Sequence, residues 1–353
     1  MHIDEIDTPA VLIDMDRVEA NLARAQAYAD ANGLPLRPHV KTHKLPEMAL
    51  KQVALGAVGI TCQKLGEAEA MADGGLTDIF LPYNILGAAK LDRLAALNDR
   101  VTLAVTADSA ETVAGYAARF GKDAPLKVLV ECDTGAGRCG VQTAGQAVAL
   151  ARQIAAAPGL IFGGLMTYPP KGGVARADAW LKEAKTALEA AGLPPETISS
   201  GGTPDLMKAA EGSVTTEYRP GTYIYSDRMQ VALGHGTLDD CALTVKATVV
   251  SRPTGDRAVL DTGSKALAAD PAPAPMRGHG HIVEYPDAIV QALSEEHAVV
   301  DLSACDARPR VGETVRVIPN HACVVTNLHD RVYLIRGDQV EREARITSRG
   351  KLQ

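Results

Sequence analysis

The segment KVLVECDTGAGRCGVQTAGQAVALARQIAAA, residues 127–157, contains the pattern on which the fold prediction depends. Its first five residues are mostly branched and apolar, which predicts a short buried strand at residues 127–131. A glycine-rich turn follows, and residues 142–157 then carry apolar side chains at helical spacing. A strand, a turn and a helix of these lengths form the unit from which parallel sheets are built.

The same unit recurs along the first two thirds of the chain. Strands are predicted at residues 9–14, 36–40, 58–62, 78–81, 102–105, 127–131, 161–166 and 197–200, and alanine-rich helical segments follow most of them. About eight units fit a (β/α)8 TIM barrel better than an open sheet, because no G-x-G-x-x-G turn follows an early strand. The fold prediction is therefore an α/β protein with a barrel over residues 8–225.

The remaining residues, 226–353, lack this alternation. Short runs with strand character lie at residues 243–252, 257–261, 296–301, 314–318 and 331–336, with little helical periodicity between them. They predict a second, β-rich domain, and the N-terminal residues 1–14 are a candidate addition to it.

Composition and charge narrow the class of protein. The chain has 353 residues, 46% of them hydrophobic and 22% charged, and a formal net charge of −7, which argues against nucleic-acid binding. Its apolar runs are shorter than the ~20 residues of a membrane span, and its acidic N-terminus resembles no secretory signal. Six cysteines without regular spacing favour a reducing compartment. We therefore expect a cytoplasmic enzyme with no membrane or nucleic-acid partner.

Polar residues follow several predicted strands, where a barrel places its working groups. Lys41 comes directly after the strand at residues 36–40, among two histidines and other cations. Burial and like charge both favour a neutral amine, which is what covalent chemistry on a carbonyl cofactor requires. The alternative is a basic surface loop. Other polar residues at strand ends include Gln63, Arg138 and Tyr168.

Two turns of small residues, at positions 199–204 and 219–223, lie near the last predicted strands. Glycines there allow the backbone to approach an anion, and late strands are where barrels bind phosphate. A plain loop is the alternative for each turn.

The loop at residues 133–140 could bring the Arg138 guanidinium to a phenolate oxygen or a carboxylate. For this loop, the alternative is an ordinary connection with a solvent-facing arginine.

His321 and Cys323 lie two positions apart in the predicted β-domain. On an extended strand they would project to the same side and could share a Zn²⁺ ion. Two protein ligands leave coordination positions for water and substrate, as a catalytic site needs. The alternative is a buried cysteine that acts as a small apolar residue.

Together these segments resemble the metal-dependent fold-type III pyridoxal-phosphate enzymes, the D-threonine aldolases and D-serine dehydratases, which are related to alanine racemase. The resemblance covers nearly the whole chain, through residues 8–10, 37–44, 63–69, 133–135, 200–204, 219–223, 294–297 and 319–323. It implies an alanine-racemase-like barrel with a C-terminal β-domain. It also implies a homodimer with active sites near the subunit interface.

The resemblance assigns roles to individual residues. Lys41 is similar to the lysine that binds pyridoxal 5′-phosphate covalently, and Arg138 to the group that faces the 3′-oxygen of the cofactor. Tyr168 is expected beside the cofactor or substrate, and His321 with Cys323 are expected to hold Zn²⁺ or Mn²⁺. The remaining expected cofactor-binding residues are His39, Gln63, Ser200, Gly201, Gly202, Thr203, Gly221, Thr222 and Tyr223.

The implied activity is that of a lyase acting on D-3-hydroxy-α-amino acids, most closely D-threonine aldolase, which yields glycine and an aldehyde. Residues 63–69 favour the aldolases. The His–Cys pair favours the D-serine and D-threo-3-hydroxyaspartate dehydratases, because the aldolases typically present His and Asp. Racemase-type chemistry is a further alternative. A non-catalytic cofactor carrier is disfavoured by the β-domain, and a zinc-dependent barrel hydrolase by the lack of a His and Asp cluster at strand ends.

Overall fold

The computed structural model describes residues 1–272 and 274–353, which form two compact units. The barrel unit comprises Arg24–Lys41, Leu45–Gly221 and Lys351–Gln353. The β unit comprises Met1–Ala23, Thr42–Lys44 and Thr222–Gly350. The domain boundary expected between residues 225 and 226 stays a prediction. Within the described ranges, no helix has both the length and the apolar character that crossing a membrane requires.

The first strand, β1 (Ala10–Asp14), follows a short 3-10 helix (Ile3–Glu5) and leads into helix α1 (Met15–Ala31). The apolar period that predicts this helix corresponds to its buried side, since Val18, Leu22 and Ala25 are almost fully buried. The side chain of Asp14 accepts hydrogen bonds from the first backbone amides of the helix, at Asp16 and Arg17. This contact explains why the helix starts directly after the strand.

The barrel unit contains a parallel sheet of seven strands in chain order. The strands are β2 (Ile60–Thr61), β3 (Asp78–Leu81), β4 (Thr102–Ala107), β5 (Leu126–Cys132), β6 (Leu160–Thr167), β7 (Thr197–Ser200) and β8 (Glu217–Tyr218). The helices are α2 (Pro46–Ala54), α3 (Leu65–Asp73), α4 (Ala88–Asn98), α5 (Ala110–Arg119), α6 (Ala144–Ala156) and α7 (Val174–Ala190). Together with α1, they give the alternation of strand and helix that the sequence predicts.

Residues 36–40 occupy the position of an eighth strand between β8 and β2. Leu36 forms a parallel bridge with Tyr218, and His39 forms one with Thr61. The backbone amide of His39 donates to the Pro220 carbonyl at 2.8 Å. The prediction of a regular strand here is wrong, because Pro35 and Pro38 lack the N–H groups that a continuous ladder needs. The barrel prediction itself, an alanine-racemase-like α/β fold, is confirmed.

The inside of the barrel is filled by a small apolar cluster. Phe80, Leu129 and Met166 are buried there, and Ala104 packs against them. Because successive residues of a strand face opposite sides, Thr106 follows Ala104 on the inner face and Glu131 follows Leu129. The ends of β4 and β5 therefore direct polar groups into the barrel interior.

The β unit is built on a mixed sheet. Its further strands are β9 (Leu243–Thr254), β10 (Arg257–Leu260), β11 (Gly280–Ile282), β12 (Ile289–Leu293), β13 (Ala298–Asp301), β14 (Thr314–Pro319), β15 (Arg331–Arg336) and β16 (Gln339–Arg345). The strand order is β12-β13-β10-β9-β1-β15-β16, and β14 pairs with β9 and β11. The short helices are α8 (Arg228–Ala232), α9 (Ser264–Leu267) and α10 (Ala322–Leu328). The N-terminal strand β1 therefore belongs to this sheet, antiparallel to β9 and parallel to β15.

Candidate functional site

Lys41 follows the closing segment at the C-terminal end of the barrel sheet and is half-buried. Its backbone N–H donates to His39 Nδ1 at 3.4 Å, and His39 Nε2 lies 3.0 Å from Gln63 Oε1. If Nδ1 accepts, Nε2 carries the proton and donates to Gln63. The Gln63 backbone amide in turn donates to Glu67 in α3. His39 and Gln63 thus connect the backbone of Lys41 to the neighbouring strand–helix unit.

The turn at Gly201 and Gly202 admits no side chain. Gly201 has a φ of +90°, and a Cβ atom there would lie 1.9 Å from the ring of Tyr218. A Cβ atom at Gly202 would lie 2.8 Å from Cε2 of Tyr168. Thr203 accepts a hydrogen bond from the Gly221 amide at 3.1 Å, which joins the two predicted phosphate turns. The Tyr218 and Tyr168 rings fill the space that a side chain would need, so only glycine fits at these two positions. A turn of bare backbone at this place fits a phosphate, because glycine lets the chain approach an anion closely.

Arg219 supports this turn from inside the barrel. Its guanidinium donates to Ser199 Oγ at 2.5 Å and to the Thr167 carbonyl at 2.6 Å. Ser199 Oγ donates to Glu217 Oε1 at 2.5 Å. Burial lowers the pKa of Arg219 to about 10, and the charge of Glu217 opposes that shift. This buried network holds the ends of β6, β7 and β8 together. Arg219 belongs to one of the two small-residue turns but is not among the site residues that the sequence predicts.

Arg138 and Tyr168 are brought together, as expected for two groups that serve one site. The Arg138 Cζ atom lies 5.3 Å from the centre of the Tyr168 ring, in the range of a cation–π contact. The loop that carries Arg138 is shaped by Asp133, whose Oδ1 accepts the amides of Gly135 and Gly137 at 2.8 and 3.1 Å. These contacts lower the pKa of the Asp133 carboxyl.

Glu131 is a polar residue of the barrel interior that the sequence analysis did not single out as a functional group. It is only 5% exposed, and burial raises the pKa of its carboxyl to about 7 against the opposing charge of Arg138. A charged residue at an inward position of an otherwise apolar strand was the signal that could have identified it.

In the β unit, His321 and Cys323 are not on a strand, and that part of the prediction is wrong. Strand β14 ends at Pro319; His321 precedes helix α10 as its N-cap and Cys323 lies in the first turn. The two side chains nevertheless meet in a hydrogen bond. Burial would lower the pKa of His321, but Cys323, Asp227 and Asp270 outweigh it and raise the pKa to about 9. An imidazole and a thiol in contact are a donor pair that fits Zn²⁺.

Buried polar groups fix the turn that presents this pair. Asp227 accepts the amides of Gln230 and Ala322 at 2.8 and 3.0 Å, so one carboxylate caps α8 and holds the start of α10. Arg228 donates to the side chain of Asn320 at 2.5 Å. These hydrogen bonds therefore fix the positions of His321 and Cys323.

Two hydroxyl groups lie next to the thiol. Thr42 Oγ1 is 3.1 Å from Cys323 Sγ, and Thr222 Oγ1 is 3.7 Å from it. Thr222 and Tyr223, both expected to bind cofactor, are buried in a short 3-10 helix, Thr222–Ile224. Hydroxyl donors at these distances can stabilise the thiolate form that binds metal.

Two sequence families match the chain. Residues 13–229 match the family described as alanine racemase, N-terminal domain, and residues 242–335 match a serine dehydratase domain. The D-threonine aldolase of Arthrobacter sp. is 36% identical over 98% of this chain and 93% of its own length.

Solved structures agree with these matches. The crystal structure of D-threonine aldolase from Filomicrobium marinum has a TM-score of 0.90 and 33% identity, covering 99% of this chain and 97% of its own. D-threo-3-hydroxyaspartate dehydratase from Delftia sp. HT23 has a TM-score of 0.87 and 30% identity, covering 98% of each chain. A cysteine-to-alanine mutant of D-threo-3-hydroxyaspartate dehydratase, in a metal-free form, has a TM-score of 0.88 and 29% identity, covering 98% of this chain and 99% of its own.

Proposed function

Since the chain belongs to the alanine racemase N-terminal domain family, whose members depend on pyridoxal phosphate, we propose that it is a D-threonine aldolase-type lyase. It acts on D-3-hydroxy-α-amino acids with the help of a divalent metal and yields glycine and an aldehyde. The observation that carries the proposal is the similarity to D-threonine aldolase, which extends over 98% of this chain.

In the barrel unit, Lys41 binds the cofactor covalently and His39 with Gln63 orients the lysine backbone. Ser200, Gly201, Gly202, Thr203 and Gly221 hold the phosphate. Support for this assignment comes from the two glycines: a side chain at either position would meet Tyr218 or Tyr168, so the turn presents bare backbone, which can approach an anion closely. The contribution of Thr222 and Tyr223 to phosphate binding stays a prediction.

Arg138 and Tyr168 orient the reactants in this proposal. The guanidinium of Arg138 would hold the 3′-oxygen of the cofactor by a charge-assisted hydrogen bond. Tyr168 packs beside the cofactor or substrate, and its contact with Arg138 keeps the flexible loop in one place. Pyridoxal phosphate, when bound, supplies the electron sink that makes substituents at the substrate Cα labile.

In the β unit, His321 and Cys323 hold the divalent ion, which we assign as Zn²⁺ or Mn²⁺. The ion supplies a Lewis acid for an oxygen atom of the substrate. The support from this chain is the His321–Cys323 hydrogen bond and the buried network that fixes both residues. The His321 imidazole and the Cys323 thiolate would hold the ion in place of the hydrogen bond between them.

Cys323 also favours a second candidate, elimination of the 3-hydroxyl by a D-serine or D-threo-3-hydroxyaspartate dehydratase reaction. A cysteine-to-alanine mutant of D-threo-3-hydroxyaspartate dehydratase in a metal-free form is among the similar structures, which is consistent with a cysteine metal ligand. In this alternative Lys41 Nζ takes the proton from the substrate Cα, and the products are a 2-oxo acid and ammonia. Product analysis therefore distinguishes cleavage of the substrate Cα–Cβ bond from elimination of the 3-hydroxyl.

The test is to incubate the holoenzyme separately with D-threonine, D-serine and D-threo-3-hydroxyaspartate and to quantify the products. Glycine as the main product without release of ammonia supports the aldolase. Cleavage of D-threo-3-hydroxyaspartate also gives glyoxylate, itself a 2-oxo acid, so release of ammonia is the measure of dehydration. Predominant 2-oxo acid and ammonia would replace it by the dehydratase, and L-amino acid alone by a racemase. The Lys41→Ala variant, expected to be inactive in all assays, controls for contaminating enzymes.

We further propose that the enzyme is a homodimer in the cytoplasm. Size-exclusion chromatography with light scattering tests the first point: a mass near twice 37.0 kDa is expected, and a mass near 37.0 kDa would contradict it.

A further inference from the structure

The loop that carries Arg138 has one buried residue, Thr134. The other residues of the loop 133–140 are exposed or half-buried, whereas Thr134 is only 1% exposed. Its hydroxyl oxygen lies 2.8 Å from that of Thr167, which is the last residue of β6 and is fully buried. A buried pair of hydroxyl groups therefore joins the first part of the loop to the end of a barrel strand.

The direction of this hydrogen bond follows from the other partners of Thr167. The Thr167 hydroxyl donates its only proton to the Cys132 carbonyl at 2.7 Å. It therefore accepts from Thr134, and Thr134 is the donor of the pair. The backbone carbonyl of Thr167 accepts from the guanidinium of the buried Arg219 at 2.6 Å. Thr167 is thus held by the end of β5 and by the residue after β8, and Thr134 is bound to this fixed point.

The two threonines lie close in sequence to the two side chains that form the cation–π contact. Tyr168 directly follows Thr167, and Arg138 lies four residues after Thr134. Two of the three residues between Thr134 and Arg138 are glycines with positive φ angles. Because glycine restricts the backbone least, this path does not fix the guanidinium by itself. The distance of 5.3 Å between the Arg138 guanidinium and the Tyr168 ring therefore depends on how the loop is anchored.

The other hydrogen bonds described for this loop lead elsewhere. Asp133 Oδ1 accepts amides that belong to the same loop, so these bonds shape the turn but move with it. The Gly140 amide donates to Asp108, which follows β4. The Thr134 hydroxyl, in contrast, ties the loop to β6, the strand that directly precedes Tyr168.

We propose that Thr134 is a positioning residue for Arg138, which keeps the guanidinium where it can meet the 3′-oxygen of the cofactor. This inference rests on the role given to Arg138 in the proposed function. Without the Thr134 hydroxyl, the loop samples more positions and the guanidinium is in place in a smaller fraction of the molecules. The apparent cofactor Kd then rises by the inverse of that fraction, at most to the value reached when Arg138 itself is removed.

Equilibrium titration of the full chain with pyridoxal 5′-phosphate measures this effect independently of turnover. We expect Arg138→Ala to raise the cofactor Kd at least about tenfold, the loss of one charge-assisted hydrogen bond. Thr134→Val keeps the shape of the side chain but removes the donor, and it should raise the Kd about threefold. Thr134→Ser restores the donor and should bind the cofactor like the wild type.

A double-mutant cycle separates positioning from a general loss of structure. In the Arg138→Ala background, Thr134→Val should leave the cofactor Kd unchanged, because no guanidinium remains to be positioned. Thr112→Val is the matched control, since Thr112 is equally buried and its hydroxyl lies 2.8 Å from that of Ser109. This control should also leave the Kd unchanged. If thermal unfolding shows that Thr134→Val does not fold, Thr134→Ala removes the same donor.

Three results would overturn the inference while leaving the role of Arg138 intact. Thr134→Val could bind the cofactor like the wild type although Arg138→Ala binds it more weakly. Thr134→Val could weaken binding equally with and without Arg138, or more than Arg138→Ala does. An Arg138→Ala variant that binds the cofactor like the wild type would instead contradict the role of Arg138 in the proposed function, and the inference would fall with it. The two failures are therefore distinguishable.

Discussion

Thr42 Oγ1 lies 3.1 Å from Cys323 Sγ, so a hydroxyl group contacts one of the two proposed metal ligands. Thr42 is fully buried, and in the sequence it directly follows Lys41. A buried hydroxyl beside a thiolate donates a hydrogen bond that favours the ionised, metal-binding form. Removing it should therefore weaken metal binding without changing the ligands themselves.

The first prediction concerns this hydroxyl. Thr42→Val should lower zinc affinity at the His321–Cys323 site about tenfold, the lower range for outer-sphere partners of metal ligands. Competition with a chromophoric chelator measures the affinity. Thr326→Val is the matched control, because it removes a buried hydroxyl that bonds only to the Ala322 carbonyl within α10. Equal affinities for wild type and Thr42→Val would contradict the role of the hydroxyl.

The second prediction concerns Lys41. The purified holoenzyme should be yellow, and Lys41→Ala should lose the long-wavelength absorption band because the variant has no amine to bind the cofactor covalently. Lys90→Ala, at an exposed position of α4, should keep the band. A cofactor-saturated wild type without this band would exclude Lys41 as the cofactor lysine.

The third prediction tests the glycine turn by comparing Gly201→Ala with Gly75→Ala. Both substitutions place a side chain on a residue with a positive φ angle. Gly201 and Gly75 have φ angles of +90° and +96°, but only at Gly201 would a Cβ atom clash. Each alanine costs about 1–3 kcal/mol of strain. Gly201→Ala should in addition raise the cofactor Kd at least about tenfold, which corresponds to about 1.4 kcal/mol. Equilibrium titration of the cofactor and thermal unfolding separate the two effects. Equal cofactor affinities in both variants would argue against a phosphate site at Gly201.

The fourth prediction concerns pH. Burial lowers the pKa of His329 below its ordinary value of 6.5, while the Ala266 carbonyl opposes the shift by accepting from Nε2 at 3.1 Å. Below about pH 6.5 the unfolded chain binds more protons at this residue than the folded one, so stability falls as pH falls. Above that pH the neutral ring contributes no pH dependence.

His329→Gln removes this titration. The free energy of unfolding in urea should therefore decrease less in the variant than in the wild type between about pH 7.5 and about pH 5.5. His297→Gln changes an exposed histidine and should behave like the wild type. If wild type and His329→Gln lose the same stability, His329 does not contribute to acid sensitivity.

The sequence predicted those elements whose local pattern agrees with their burial. Strand β3 and strand β15 were predicted to the residue, because apolar runs bounded by turns leave few alternatives. Residues 36–40 were predicted as a regular strand, but Pro35 and Pro38 interrupt the ladder. His321 and Cys323 are expected on an extended strand of the β-domain, whereas residues Ala322–Leu328 form α10. Tertiary packing decides whether such a short segment forms a strand or a helix, and composition does not reveal that packing.

In the candidate site, too, local sequence predicts some residues, while others depend on contacts between distant segments. Lys41, Gly201 and Gly202 could be identified because each stands at the end of a predicted strand. The buried network of Arg219, Ser199 and Glu217 could not, since it depends on the register between β7 and β8 and on the rotamer of a buried arginine. Sequence patterns within one segment carry no information on either.

The segment at residues 36–40 donates to one neighbouring strand through His39 and accepts from the other, where the Thr61 amide binds the Pro38 carbonyl at 2.8 Å. Closing the ring in this way leaves the seven parallel strands of the barrel unit, as far as the structure describes them, without an outer strand that a foreign peptide could extend. Losing these hydrogen bonds would expose the edges of β8 and β2 at the same time, and each edge could then pair with another chain. Residues 36–40 would then have two roles. They protect the sheet from amyloid-like polymerisation, and they hold Lys41, the residue proposed to carry the cofactor, in position.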